Sequence, residues 1–339
     1  MLRVGSKNPL RQQIEMELGP VVSTNAVGHD GQIYYVIARD PFATGTTVDA
    51  LLTFDIPRYR YRRILFPLLA GGFGQFSPRL TLFGLIFWSV AGMALMALAV
   101  ADLAFTVKAR GGAVMLAIVN LGALASVMLL TADVLALGLA LVGVSLFLRR
   151  RLGGALFALT LAALTKEAYL LVPLALGLWQ WRSHHRSTAI AFMLVPALPL
   201  LGWSVWVWFG IPDLPQTPAI LGFPLLGVVR SISNWLHPGS LDFIQATFAI
   251  YLAVSFLLAA VMLVAGRNPV LRWVIVPWLI LASCAGLDVW IIPSNAARAF
   301  AILWPLGILL WSSRPQLGWD RVSTRVGETS DNHQRRAEG

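Results

Sequence analysis

Polar and apolar positions divide the chain into blocks. Residues 1 to 78 are mixed in character, residues 79 to 312 are almost wholly apolar apart from short polar clusters, and residues 313 to 339 are polar again. Crossing a bilayer takes roughly 20 consecutive apolar residues. Stretches of about that kind lie at 79–104, 112–129, 131–148, 155–181, 188–209, 243–266, 270–291 and 297–312, with a partial one at 219–230. In hydrocarbon the backbone must satisfy its own hydrogen bonds, so each reads as a helix. The expected fold is all-α and polytopic, with about eight or nine transmembrane helices. An extracytoplasmic region over 1–78, with a short helix around RQQIEMEL, precedes the membrane domain 79–312, and a disordered cytoplasmic tail over 313–339 follows it. The run ILFPLLAGGFGQF at 64–76 is too short and glycine-rich to span and reads as re-entrant or interfacial.

The stretch 155–181 carries Thr165-Lys166-Glu167 at its centre. A single helix would hold Lys166 and Glu167 at mid-membrane, which is costly, whereas two short helices turning at these residues avoid it. The positive-inside rule decides between them. With a hairpin, the basic clusters Lys108/Arg110, Arg149 to Arg151, Arg182/Arg186, Arg267/Arg272 and Arg314 all fall on one side, the cytoplasm. The N-terminal region, Thr131 to Asp133, Thr165 to Glu167, the loop 210–242 and Pro293 to Arg298 then share the opposite face. No apolar core in the first 27 residues resembles a signal peptide, so either this polar segment is translocated unaided or, as we expect, a translocating helix lies upstream of this start.

Composition agrees: 57% of residues are hydrophobic, 12% are charged, and 13 are Trp, with a mean hydropathy of +0.72. The net charge of +10 sits in short clusters between apolar segments, as topology signals and lipid-phosphate contacts do, and no nucleic-acid motif accompanies it. Cys284 is the one cysteine, which excludes an intrachain disulfide, and no zinc-type spacing occurs. No glycine-rich nucleotide loop is present, so neither a soluble nucleotide donor nor a cofactor is implied.

The polar stretches carry the candidate chemistry. In GHDGQIYYVIARDPF (28–42) Asp30 lies between His29 and Gly31, where a carboxylate can serve as general base for a hydroxyl, although the DG pair is also a common turn signal. His29, Gln32, Tyr35 and Arg39 of the same segment are candidate substrate contacts. In RYRYRRILFPLLA (58–70) Arg60, Arg62 and Arg63 are candidate phosphate ligands, because a guanidinium pairs with phosphate oxygens as a fork; contact with lipid headgroups is the plainer alternative. Asp133, Lys166, Glu167 and Arg298 stand at expected helix ends on the same face, where an N-cap, a local ion pair or a snorkelling side chain would also explain them. His184 and His185 read as solvated loop residues and His237 as loop structure.

Four motifs, GHDGQIYYVIARDP, YRYRRILFPLLA, LTKEAYLLVPLAL and NAARAFAILWPL, resemble a family of bacterial multi-spanning proteins linked to cell-surface glycopolymer formation and similar to the glycosyltransferase C superfamily. The likeness runs from about residue 25 to 312. It implies an inner-membrane transferase that moves a sugar from a polyprenyl-phosphate donor to a glycan or lipid acceptor on the extracytoplasmic face. It further implies that Asp30, in the first extracytoplasmic loop, is the base, with the YRYRR and TKE positions handling donor phosphate and acceptor. Such proteins usually have a membrane helix before this loop, and this chain departs from them there. The competing expectation is a non-enzymatic subunit or a flippase for lipid-linked sugar. A transporter should show internal repeats and a polar path at mid-membrane, and the sequence shows no repeat.

Overall fold

The computed structural model describes residues 2–23, 25–45, 47–53, 55–74, 77–212, 221–237, 239 and 241–313. The expected tail, with Arg314, and part of the 219–230 segment lie outside the described residues. Those described are helical, with isolated bridges only at Val4 and between Leu221 and Ala285. Five short helices come first: α1 (Leu10–Leu18), α2 (Asp30–Arg39), α3 (Thr47–Leu52), α4 (Pro57–Tyr61) and α5 (Leu65–Gly74). Then follow α6 (Pro78–Thr106), α7 (Gly111–Ile118), α8 (Leu121–Leu129), α9 (Asp133–Leu148) and α10 (Leu152–Thr165). A 3₁₀ turn, Glu167–Leu170, leads to α11 (Leu171–Arg182), α12 (Arg186–Leu194), α13 (Ala197–Gly210) and α14 (Leu226–Trp235). The chain ends in α15 (Phe243–Ala265), α16 (Pro269–Cys284), α17 (Leu287–Trp290), α18 (Pro293–Ala299) and α19 (Leu303–Ser312).

Local chemistry starts the long helices. The Ser77 hydroxyl accepts the Leu80 amide ahead of Pro78, so α6 opens with one orphan donor satisfied and a residue that needs none. Asn120, Asp242 and Asn268 cap α8, α15 and α16 in the same way. Where α6 crosses α9, a Cβ on Gly92 would lie 2.7 Å from the Leu135 Cα, and one on Gly138 would lie 2.7 Å from the Gly92 carbonyl oxygen. Small residues on both helices thus bring the backbones into contact, which is how helices associate where lipid removes the hydrophobic drive.

Four helical stretches are long and apolar enough to cross a membrane: Pro78–Thr106, Gly111–Leu129, Arg186–Gly210 and Phe243–Ala265. The pair α18 and α19, bent by 61°, makes a fifth if counted as one span. This is fewer than the eight or nine expected. Helices α9, α10 and α16 are apolar but only 16, 14 and 16 residues long. The polar clusters at 131–133 and 165–167 bound α9 and α10 at one end of the bundle, and α16 stops at Cys284, where Ala285 turns to extended backbone ahead of Gly286.

That end can be followed from contact to contact. Lys166 leaves α10 in extended backbone, φ −156° and ψ 119°, and pairs with Asp133 at the start of α9. The end of α13 joins them, with the Arg58 Nε donating to the Ile211 carbonyl at 2.7 Å. At the opposite end Arg149 and Ser145 both donate to Asp102, and Phe147 meets Phe192 edge-on at 5.2 Å. The stretch read as a hairpin is therefore broken at Lys166, and its two helices lead away from the same end.

The segment 28–42, read as a polar loop, is instead mostly a buried helix. Ile33 to Ala38 of α2 are all buried, and they share a core with Leu85, Leu130 and Leu135 of the bundle. Gly31 makes this docking possible: a Cβ there would sit 2.6 Å from the Leu129 carbonyl oxygen. The run at 64–76, read as re-entrant, holds the ten-residue α5, which lies between α2 and α6 and is too short to cross.

The two-ended arrangement has a direct check. On a Cys284→Ser background, Ala168→Cys and His184→Cys should label from opposite faces of sealed membranes with an impermeant thiol reagent. Labelling of both from the same face would contradict it.

Candidate functional site

The break at Lys166, the start of α9, the turn before α4 and the α17–α18 corner enclose a cavity of about 870 Å³. Five basic side chains line it: Arg60, Arg62, Arg63, Lys166 and Arg298. So do five acidic ones: Asp30, Asp55, Asp133, Glu167 and Asp288. Leu170, Leu171, Leu174, Leu221, Leu281, Ala285 and Val289 add an apolar wall.

Asp30 opens α2, a position where the helix dipole favours a carboxylate. Its two oxygens are held separately. Arg60 Nη1 donates to Oδ1 at 3.1 Å, while Arg298 Nη1 and Nη2 donate to Oδ2 at 3.3 and 3.2 Å. Burial alone would raise its pKa, but Arg60 and then Arg298 outweigh that and hold the carboxyl well below the usual carboxylate range. Arg60 also reaches Asp55 at 2.9 Å through Nε and Nη2. Burial opposes the charge of Arg60, yet Asp30 and Asp55 more than compensate and lift its pKa above the ordinary guanidinium value.

Arg298 ties this group to the bundle. It lies 3.7 Å from Asp133 Oδ2 and donates to Asn295 Oδ1 at 2.7 Å. Asp133 in turn accepts from Lys166 and, at 2.7 Å, from the Thr131 hydroxyl. Arg63 forms a fork on Glu167, with Nε to Oε2 at 3.0 Å and Nη2 to Oε1 at 2.8 Å, and its guanidinium lies 4.2 Å from the centre of the Tyr59 ring.

Two charged residues stand outside this pairing. The Arg62 guanidinium has no hydrogen bond or ion pair among the described residues, and its Nε is buried without a partner. The Asp288 carboxylate, also in the lining, likewise has none among them. The cavity thus offers one uncommitted cation and one uncommitted carboxylate.

Eight of the twelve candidates from the sequence converge here: Asp30, Arg60, Arg62, Arg63, Asp133, Lys166, Glu167 and Arg298. The other four hold the N-terminal fold together. Gln32 is buried, accepts from the Gly5 amide at 3.1 Å and donates to the Val27 carbonyl at 2.8 Å. The Tyr35 hydroxyl donates to Glu17 at 2.7 Å, and Arg39 reaches Glu17 at 3.2 Å and the Gly74 carbonyl at 2.7 Å. His29 flanks the start of α2 without lining the cavity; burial, then Arg3, lowers its pKa. Helical spacing accounts for this split. Within α2, Asp30 begins the helix on the cavity side, while Gln32, Tyr35 and Arg39 point to α1 and the loop before it.

Sequence reasoning passed over Asp55, Tyr59, Asp288 and Asn295. Asp55 stands three residues before the arginine run, and an acid that close to YRYRR was a usable signal. Asp288 sits between apolar residues in GLDVW, a charge inside a presumed span that should have been flagged. Among the described residues no group of three His, Cys, Asp or Glu side chains is placed to hold a metal ion.

The Lys166–Asp133 pair has a measurable consequence. Removing one partner of a buried pair typically costs about 3–5 kcal/mol, because it strands the other charge. Lys166→Ala should therefore lower the unfolding midpoint of the detergent-purified protein, by an amount at the low end of that range because Arg298 still faces Asp133. The double change Lys166→Ala/Asp133→Ala should cost less than the sum of the two singles. Additive costs would show that the pair is not coupled.

No known family model, curated protein or solved structure matches this chain.

Proposed function

We propose that this cavity binds a polyprenyl-phosphate sugar and transfers the sugar to an acceptor hydroxyl, as a glycosyltransferase of the C type in the bacterial inner membrane with its active face extracytoplasmic. One observation carries the reading. Among the described residues, Arg62 is the one uncommitted guanidinium that lines the cavity, and Leu170, Leu171, Leu174, Leu221 and Leu281 line it as well. A sugar-phosphate-prenyl diester has one negative charge next to a hydrocarbon chain. The ten charged side chains of the lining are formally balanced, so one added negative charge is better tolerated than two. The position along the helices supports a lipid-borne substrate. Gly92 packs at the level of Leu135, so α6 runs about 20 Å beyond the level of Asp133 at 1.5 Å per residue. Beyond Arg79 in its first turn, its exposed side chains there, Leu80, Phe83, Ile86, Phe87 and Val90, are apolar. The eight or nine crossings of the expected topology would include α9, α10, α11 and α16 as short or tilted helices around the cavity.

In this mechanism the acceptor oxygen attacks the anomeric carbon, the bond from that carbon to the phosphate oxygen breaks, polyprenyl phosphate leaves, and the acceptor proton passes to Asp30. Configuration inverts. Guanidinium contacts neutralise the leaving phosphate. In the resting cavity both Asp30 oxygens are occupied by arginine, so the carboxylate is a poor base. Donor phosphate draws Arg60 or Arg298 off Asp30, frees a lone pair and raises the carboxyl pKa. Substrate thereby switches on the base.

The clamp on Asp30 also favours a second reading, a subunit that binds or moves lipid-linked sugar without chemistry, in which the carboxylate is simply a structural counter-ion.

Two substitutions separate the readings. Asp30→Asn keeps the shape but loses basicity, and loss of a general base costs roughly 10²- to 10⁴-fold in rate. Arg62→Ala should mainly raise the donor concentration needed for half-maximal transfer. Near-normal transfer by a well-folded Asp30→Asn protein would remove the base assignment and leave the non-enzymatic subunit ahead.

The pH profile tests the switch. The acid limb of kcat/KM for the donor reports the free enzyme and should lie below the ordinary carboxylate range, since Arg60 and Arg298 depress the Asp30 pKa. The acid limb of kcat reports the donor complex and should lie at higher pH. Coincident limbs would contradict the exchange of arginine from Asp30 to phosphate.

A further inference from the structure

A second cavity, of about 820 Å³, lies at the opposite end of the bundle. It forms where three apolar stretches end together: the start of α7, the end of α15 and the end of α19. Arg110 precedes α7 and Arg267 follows α15, and both line this cavity. Unlike that of Arg149, which is paired with Asp102, neither guanidinium has an ion pair or hydrogen-bond partner among the described residues. The lining contains no acidic side chain. A topology signal needs only positive charge near a helix end. It does not need two guanidiniums from distant parts of the chain converging on one hollow.

The rest of the lining narrows the ligand. Leu116, Met262, Leu310 and Trp311 form apolar walls that run from the arginines along the helices. Leu116 and Trp311 are also exposed on the outer surface, so the walls continue onto the side of the bundle that would face lipid. Trp is the residue that settles at the level of lipid headgroups. A cationic mouth over apolar walls, at the ends of membrane-length helices, matches a phosphate carried on acyl chains. A zwitterionic headgroup would bring its own cation against two unpaired guanidiniums, so a net negative lipid fits better.

We propose that this cavity is a binding site for an anionic phospholipid, with the phosphate between Arg110 and Arg267 and an acyl chain along Leu116, Met262 and Leu310. The site is separate from the polar cavity and does not depend on what that cavity does.

Native mass spectrometry of the full-length protein, purified in detergent and given phosphatidylglycerol or phosphatidylcholine, tests it. Both arginines are exposed, so Arg110→Gln/Arg267→Gln should fold normally. The expected result is retention of phosphatidylglycerol by the wild type and a loss on the order of tenfold or more in the double variant, from roughly fivefold per basic residue near a lipid surface. Phosphatidylcholine retention should be unaffected by the substitutions. Arg151→Gln/Arg182→Gln, at the same end but outside the cavity, should retain phosphatidylglycerol as the wild type does. Arg110→Lys/Arg267→Lys should recover much of the loss. Equal loss in the Arg151/Arg182 variant would reduce the effect to general surface charge and overturn the site. Equal retention by wild type and Arg110→Gln/Arg267→Gln would overturn it too. Displacement of the lipid by millimolar inorganic phosphate would show a site for the free anion, and the lipid assignment would fall.

Discussion

Ionisable groups beside apolar helices are expensive unless each charge meets another, and the chain arranges its functional end around that constraint. Arg298 faces Asp30 on one side and Asp133 on the other, and Asp133 also holds Lys166. These few contacts join α2, α9, α18 and the turn after α10, which are far apart in sequence. Arg60 extends the network to Asp55, while Arg63 and Glu167 form a parallel tie between the N-terminal helices and the same turn. The helices that end at these charges are short for that reason. Their polar ends are drawn inward to meet partners instead of extending toward water.

A network built this way is left with little spare charge. Arg62 and Asp288 are the exceptions, and both face the cavity. An unpartnered buried donor such as the Arg62 Nε is costly unless something else satisfies it. The proposed donor phosphate would satisfy it and would also compete for the arginines that hold Asp30. Binding and activation are then consequences of the same electrostatic exchange. The opposite end of the bundle is built differently. Arg110 and Arg267 line a cavity there with no acidic side chain among its lining residues.

Much of this was legible in the sequence. The apolar stretches at 79–104 and 243–266 match span-length helices, and 112–129 and 188–209 span-length helical stretches made of two helices each, because length and hydropathy suffice for them. The break at Lys166 followed from the cost of burying charge and from the sidedness of the basic loops. The convergence of Asp30, Asp133, Lys166 and Arg298 followed from placing their loops at one end. Other features were not legible. Hydropathy does not show that α9 and α10 stop short at Asp133 and Lys166, since that depends on a pairing between residues far apart in the chain. Segment 28–42 read as a loop because its polar side chains dominate the pattern, yet Gln32 and Tyr35 are buried on Gly5 and Glu17 and Arg39 is half-buried on Glu17 and Gly74. Such compensation depends on partners that no local window contains.

The central claim is that one free guanidinium beside a leucine wall recognises a single phosphate charge on a prenyl chain. Equilibrium binding to the purified wild-type protein tests it most directly, comparing polyprenyl monophosphate, polyprenyl diphosphate and inorganic phosphate. The account predicts that the monophosphate binds tightest, the diphosphate more weakly because its extra charge has no free partner, and inorganic phosphate weakest because it lacks the chain. Binding of inorganic phosphate as tight as that of polyprenyl monophosphate, or no binding of the monophosphate at all, would contradict it.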